Sequence, residues 1–249
     1  MQIGFQVSPS ASIITTQTAA VLGGGGGGGG ASDEHWDNVV LLILANGDDD
    51  GTVFTDLSDS PHTVQRFGTA VATSTDQKKE GSASLQFGST VNSYLHIADH
   101  ADFDFGTGDF TIEMWVYMQQ SGAVANFLSK SQGNGVGWMF GMWANHLEWV
   151  WIDNNEGSTT VPKNEWVHVA ISRNGTTGRM FINGTEDSGG SWTLDDAANG
   201  SAHEVRIGHH TALSGSGYNF YGFMDGIRVT KGVGRYTSNF TPPITFPTQ

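Results

Sequence analysis

The chain has no cysteine. No disulfide can cross-link the fold, and no thiolate can act as nucleophile or soft metal ligand. Positive charge is scarce too: 11 Lys and Arg stand against 25 Asp and Glu, giving a formal charge of −14. No basic residue precedes Arg66. Binding nucleic acid through its phosphates needs a basic stripe, and none is present. The same shortage removes the positively charged start of a secretory signal peptide, so synthesis in the cytosol without a cleaved signal is expected. No apolar run approaches the ~18 residues of a membrane span, so no membrane insertion is expected. Helices are disfavoured by the 35 glycines, since each costs about 1 kcal/mol relative to alanine in a helix interior.

What the chain does have is turns and aromatic rings. Eight Trp and 14 Phe supply apolar surface for a core that must hold without disulfides. Asn-Gly dipeptides begin at Asn46, Asn134, Asn174, Asn183 and Asn199. This pair provides the positive φ angles of type I′ hairpin turns. Around these turns, residues 166–173, 179–183, 203–208 and 222–230 read as strands. Upstream, the continuous apolar run 38–44 should be buried on both faces. Residues 84–87, 94–97, 110–117, 126–130, 138–143 and 147–152 add further strands, with Phe110, Ile112, Met114 and Val116 on one face. About a dozen short strands joined by turns predict an all-β, two-sheet antiparallel sandwich.

Three segments are visible along the chain. Residues 1–22 are uncharged and strand-prone, with Ile3, Phe5, Val7, Ile13 and Ile14. Residues 23–35 form a linker that begins with eight consecutive glycines, a flexible tract spanning about 15 Å root mean square. Residues 36–249 form the globular domain. The head is more apolar than typical disordered tails. It reads either as a disordered terminus or as an arm that orders on a partner, for example by adding a strand to another subunit's sheet edge.

The order of the strand phrases resembles the laminin G-like jelly-roll members of the concanavalin A-like lectin/glucanase superfamily. The matching phrases are GSASLQF (81–87), YLHI (94–97), FGTGDFTIEMWV (105–116), EWVHVA (165–170), FING (181–184), VRIG (205–208) and GFMDGIRV (222–229). The tail TKGVGRYTSNFTPP (230–243) is similar to the ends of laminin G-like domains in bacteriophage virion proteins, and IGFQVSP (3–9) resembles the start of some phage tail proteins. The resemblance implies a jelly roll displayed on a virion as capsid decoration or as a tail or tail-fibre component. Its arm would bind other virion proteins, its sandwich would face a host glycan or a protein, and a homo-oligomer is expected. The alternative is a stand-alone carbohydrate-binding lectin module.

Glycosidases share this superfamily, and hydrolysis needs two carboxylates flanking the scissile bond. Family enzymes carry acids at alternating positions of one strand. The nearest stretch, around Glu148, Asp153 and Glu156, places Glu148 and Asp153 at an odd spacing and so on opposite faces. No enzyme activity is expected. Sugar binding needs aromatic faces beside planar amides and carboxylates. Trp149 and Trp151, with Asn154 and Asn155 after them, and Trp192, His209 and Tyr218 in later loops are the candidates; the competing reading is that aromatic residues of a sandwich belong to its core. Asn46, Asp48 and Asp50 space oxygen donors two apart before Gly51, the first half of a calcium loop, which reads alternatively as a solvated acidic turn. The resemblance adds Asp225 as the matching carboxylate of a structural Ca²⁺. The nine histidines invite a zinc reading, but none pairs at ligand spacing with another ligand in an obvious way except His209 and His210, whose adjacent side chains point apart on a strand.

Overall fold

In the computed structural model, residues 32–89, 92–133, 136–151, 154–193, 201–210 and 218–248 are described. The arm 1–22, nearly all of the linker 23–35, and the Asn-Gly turns at Asn134 and Asn199 lie outside them. Among the described residues fifteen strands run in order: β1 (Val39–Ile43), β2 (Gln65–Phe67), β3 (Val71–Ser74), β4 (Ser84–Phe87), β5 (Tyr94–Ile97), β6 (Phe110–Met118), β7 (Ala125–Gly133) and β8 (Val136–Trp143). They continue with β9 (His146–Val150), β10 (Asn154–Thr160), β11 (Trp166–Asn174), β12 (Thr177–Ile182), β13 (Thr185–Thr193), β14 (Val205–Ile207) and β15 (Gly222–Lys231). Short 3₁₀ turns at Trp36–Asn38 and Ala101–Phe103 complete the described elements.

The strands form two antiparallel sheets. The larger has the order β13-β12-β11-β6-β15-β4-β3, with β1 paired to β15, and the smaller β10-β9-β8-β7-β14-β5-β2. The all-β sandwich read from the sequence is what the chain forms. The turn at Asn183-Gly184 closes the pair Ile182–Thr185 with φ of 49° and 76°, the type I′ geometry that Asn-Gly favours. A side chain at Gly184 would also strike the Phe240 carbonyl oxygen, which passes 2.0 Å from where its Cβ would stand.

Between the sheets lies one apolar core. Phe110, Ile112, Met114 and Val116 of β6 meet Phe127, Trp138, Phe140 and Trp149 of the smaller sheet. The other face of β6 is closed too: Thr111, Glu113 and Trp115 are buried. Residues 232–246 fold back over it, where Tyr236 stacks on Phe240 at 3.5 Å and Trp115 Nε1 donates to the Pro243 carbonyl at 3.0 Å. Trp36, Val39, Leu42, Trp115 and Phe246 form a second apolar cluster on this side. The outer face of the larger sheet is therefore covered by the chain's own tail.

Under that cover lies a buried ionic network. Arg228 of β15 donates from Nε and Nη2 to Glu113 Oε1 at 2.9 and 2.7 Å. Tyr236 Oη donates to Glu113 Oε2 at 2.7 Å, and His168 Nε2 lies 3.2 Å from the same oxygen. Arg228 Nη1 also reaches Asp33 at 2.8 Å, and Arg235 grips Asp33 with two further bonds of 2.8 Å. Burial raises the Glu113 pKa, but Arg228, His168 and Tyr236 outweigh it and hold the carboxyl at about 2. A carboxylate held below its ordinary value near 4.3 adds stability that is present above that value and lost as pH falls through the folded pKa. We expect Glu113→Gln to cost about 3–5 kcal/mol at pH 7, as for breaking a buried pair. The gap from wild type, measured by urea unfolding, should narrow steadily between pH 4.5 and 2.

Candidate functional site

Among the described residues no tail crosses the outer face of the smaller sheet, and its strands arrange a row of side chains there. Alternation on β8 turns Trp138, Phe140 and Met142 to the core and Met139, Gly141 and Trp143 outward. On β9, Leu147 and Trp149 point inward, so Glu148 and Val150 point outward. The β8–β9 hairpin closes at Trp143–His146 through Ala144 (φ 49°) and Asn145 (φ 71°), a primed turn built without glycine. Register then aligns Asn126, Gly141, Glu148 and Glu156 across β7, β8, β9 and β10. Gly141 is required in that row, since a Cβ would sit 2.5 Å from the Ala125 carbonyl oxygen.

Met139, Trp143, Glu148, Val150, Asn154, His210 and Tyr218 line a cleft of about 250 Å³ on this face. Trp143 is 43% exposed at the rim of this cleft. Tyr218 lies beside the His210 ring, centroids 5.9 Å apart. One place along the row, Asn126 is buried with both amide atoms lacking a protein partner. Burial, with a smaller contribution from Glu156, pushes the Glu148 carboxyl up to about 7. Burial, helped by His209 and Arg206, pushes His210 down to about 4, so its ring is neutral at pH 7. The cleft thus joins an aromatic platform to an acid poised near neutrality, an amide and a neutral imidazole. A wider cleft of about 570 Å³ at Gln119, Gln120, Ser121, Asn219 and Tyr221 supplies polar groups but no tryptophan.

Of the residues expected to bind sugar, Asn154 and Tyr218 line this cleft. Trp149 and Trp151 do not. Trp149 is fully buried, stacked on Trp138 at 5.7 Å, and Trp151 packs edge-on against it at 6.2 Å. The period-2 reading put both correctly on one face, but that face is the core. Asn155 pairs with Trp149 across β9 and β10, so it shares the inner side. Trp192 belongs to β13 at the edge of the other sheet and packs partly against the core. His209 is buried under Tyr94, centroids 5.1 Å apart, with its Nδ1 directed at the His210 carbonyl. Trp143 and His210 line the cleft as well. Trp143 gave little signal, since it ends the apolar run 138–143 and the turn after it carries no glycine. Asp153 lies outside the described residues.

The calcium set does not fit a shared ion. Asp225 is 1% exposed, and its oxygens already accept from the backbone N–H groups of Lys79, Glu80 and Gly226 at 2.9–3.1 Å. Asn46 Oδ1 accepts from Ser82 N, and the exposed loop carrying Asp48 and Asp50 is tied to β3 through Thr73. Among the described residues, Asp48, Asp50 and Asp225 do not gather around a common point. Asp225 instead fastens the 79–80 segment to the β15 bulge. The Asn46 amide oxygen and the Asp225 carboxylate are thus already engaged by backbone N–H groups.

Two outcomes follow from these placements. Asp225→Ala strands several buried N–H donors and should cost about 3 kcal/mol, equally in calcium-containing and calcium-free buffer. A raised carboxyl pKa gives stability that is full below the ordinary value and lost as pH rises through the folded one. Glu148→Gln should therefore gain on wild type between pH 4.3 and 7, with the difference level above pH 8, as read by urea unfolding.

A family model described as the concanavalin A-like lectin/glucanases superfamily matches residues 87–233. No curated protein sequence matches. Among solved structures, the binding domain of Paraclostridial Mosquitocidal Protein 1 superposes with a TM-score of 0.63 at 18% identity, covering 80% of this chain and 50% of that one. Domain 4 of AbnA, a GH43 extracellular arabinanase from Geobacillus stearothermophilus solved with arabinotriose, gives 0.59 at 16% identity over 78% of this chain and 93% of that domain. The binding domain of botulinum neurotoxin DC, solved with rat synaptotagmin II, gives 0.58 at 13% identity over 80% and 50%. This chain spans about half the length of the two toxin binding domains.

Proposed function

Because the chain belongs to the concanavalin A-like lectin/glucanase superfamily, we propose that it is a non-catalytic binding module that holds a glycan in the cleft around Trp143. The observation that carries this reading is an exposed tryptophan beside Tyr218, Glu148, Asn154 and His210 on the outer face of the smaller sheet. A sugar presents C–H groups on one face and hydroxyls at its edge. A flat ring accepts the first, and carboxyl, amide and imidazole groups pair with the second. Both the toxin binding domains and the arabinanase domain share this sandwich, and the last was solved with an arabino-oligosaccharide. The finer setting, display on a phage virion with the arm 1–22 attached to other virion proteins, is supported by the sequence resemblance of the tail 230–243.

A second reading has one observation behind it. Glu148 and Glu156 face each other across β9 and β10, and an acid raised to about 7 suits a general acid. Glu156 is tied to His146 at 3.1 Å and does not line the cleft, which favours binding over hydrolysis.

Screening the full chain on a glycan array and measuring the best hits by calorimetry tests the proposal. Trp143→Ala should weaken binding at least about tenfold, or about 1.4 kcal/mol, with the fold intact by circular dichroism. Unchanged binding in that variant would remove the cleft from consideration. Release of reducing ends from a bound polysaccharide, lost in Glu148→Gln, would replace the lectin reading by the hydrolase one.

A further inference from the structure

We propose that His62, His100 and Asp102 form a binding site for a first-row divalent metal ion, Zn²⁺ by preference. Each offers one ligand atom, and the three atoms lie within 4.8 Å of one another. Asp102 Oδ2 is 3.1 Å from both His62 Nε2 and His100 Nδ1. A tetrahedral zinc ion with bonds of ~2.0–2.1 Å spaces its ligands about 3.4 Å apart. The trio is therefore within small side-chain movements of that spacing. Forty residues of sequence separate His62 from Asp102, so the cluster is invisible to any reading of adjacent ligands.

At His100 the ring nitrogen Nδ1 lies 3.1 Å from Asp102 Oδ2 and 3.2 Å from the backbone N of the same residue. A metal ion held by the ring nitrogen and the carboxylate would take the place of the backbone contact, which lies at the surface.

The surroundings hold the ligands in place. Asp56, which is buried, accepts from Leu42 N, Ser58 N and His62 N at 2.8–3.0 Å and fixes the loop that carries His62. On the other side, Phe103 is fully buried directly after Asp102, and the His62 ring packs on it with centroids 5.0 Å apart. Lys130, itself fully buried, bridges Asp99 and Asp104 on either side of the turn. His62 is largely covered, whereas the His100 side chain is 53% exposed. That leaves a fourth coordination position toward solvent, for water or an oxygen donor. Two imidazoles and one carboxylate suit zinc and its neighbours, and hard calcium would instead want six to eight oxygens.

Calorimetric titration of the full chain with ZnCl₂, after chelator treatment and desalting, tests the site. One saturable Zn²⁺ per chain is expected, with a melting temperature that rises with zinc because the ion binds the folded state. His100→Ala and the near-isosteric Asp102→Asn should each weaken binding at least about tenfold and abolish the thermal shift. Both should remain folded by circular dichroism, since His100 is half exposed and Asp102→Asn keeps the shape of the side chain. His203→Ala should bind as wild type does. Absence of saturable zinc binding by the wild-type chain overturns the proposal, as does binding that survives both ligand variants or falls equally in His203→Ala.

Discussion

The larger sheet depends on one buried charge arrangement. Glu113 sits at 0% exposure in the middle of β6, and nothing but Arg228, Tyr236 and His168 can make such burial tolerable. An unpaired carboxylate there would cost several kcal/mol. The partners come from β15, from the tail after β15 and from β11, so satisfying one carboxylate requires all three to be in place. Asp33 extends the same logic to the segment before β1 by bridging Arg228 and Arg235. The network therefore ties β6, β11, β15, the tail and the segment before β1 to one another.

That requirement settles which surface is left open. Drawing the tail across β6 and β11 covers the outer face of the larger sheet with Tyr236, Phe240 and Phe246, and Trp115 is sealed beneath Pro243. Among the described residues the smaller sheet has no such cover. Its outward positions hold a half-exposed Trp143, a buried acid at Glu148 and the loop residues His210 and Tyr218. The asymmetry between the faces places the cleft on the smaller sheet. The acid-poor strength of the Glu148 carboxyl and the neutrality of His210 come from the same partial burial.

Much of the fold was legible from residues. The Asn183-Gly184 turn needed positive φ at both positions and has it. The runs at 84–87 and 94–97 are strands with those bounds, and the even positions of β6 from Phe110 to Val116 face the core as their alternation demanded. Other elements gave no such signal. The three exposed residues of β2 and the polar run of β10 are strands only because a neighbour supplies hydrogen-bond partners. The Ala144-Asn145 turn carries no glycine and so did not announce itself. The site was legible in its chemistry more than in its members: Asn154 and Tyr218 line the cleft, while Trp149 and Trp151 lie in the core.

By itself, the sequence determined the class of fold, because turn chemistry and period-2 alternation act over a few residues and need no distant partner. It also determined that the chain has no thiol and carries 11 Lys and Arg against 25 Asp and Glu. Only the tertiary structure decided which side of each strand is inside. Alternation makes Leu147, Trp149 and Trp151 equivalent to one another and opposite to Glu148, but it does not say which set meets the second sheet. It likewise decided that His62 would meet Asp102, and that the Asp225 carboxylate would be filled by backbone amides. Those outcomes depend on contacts between residues far apart in the chain, and the local pattern around each residue carries no record of its distant neighbour.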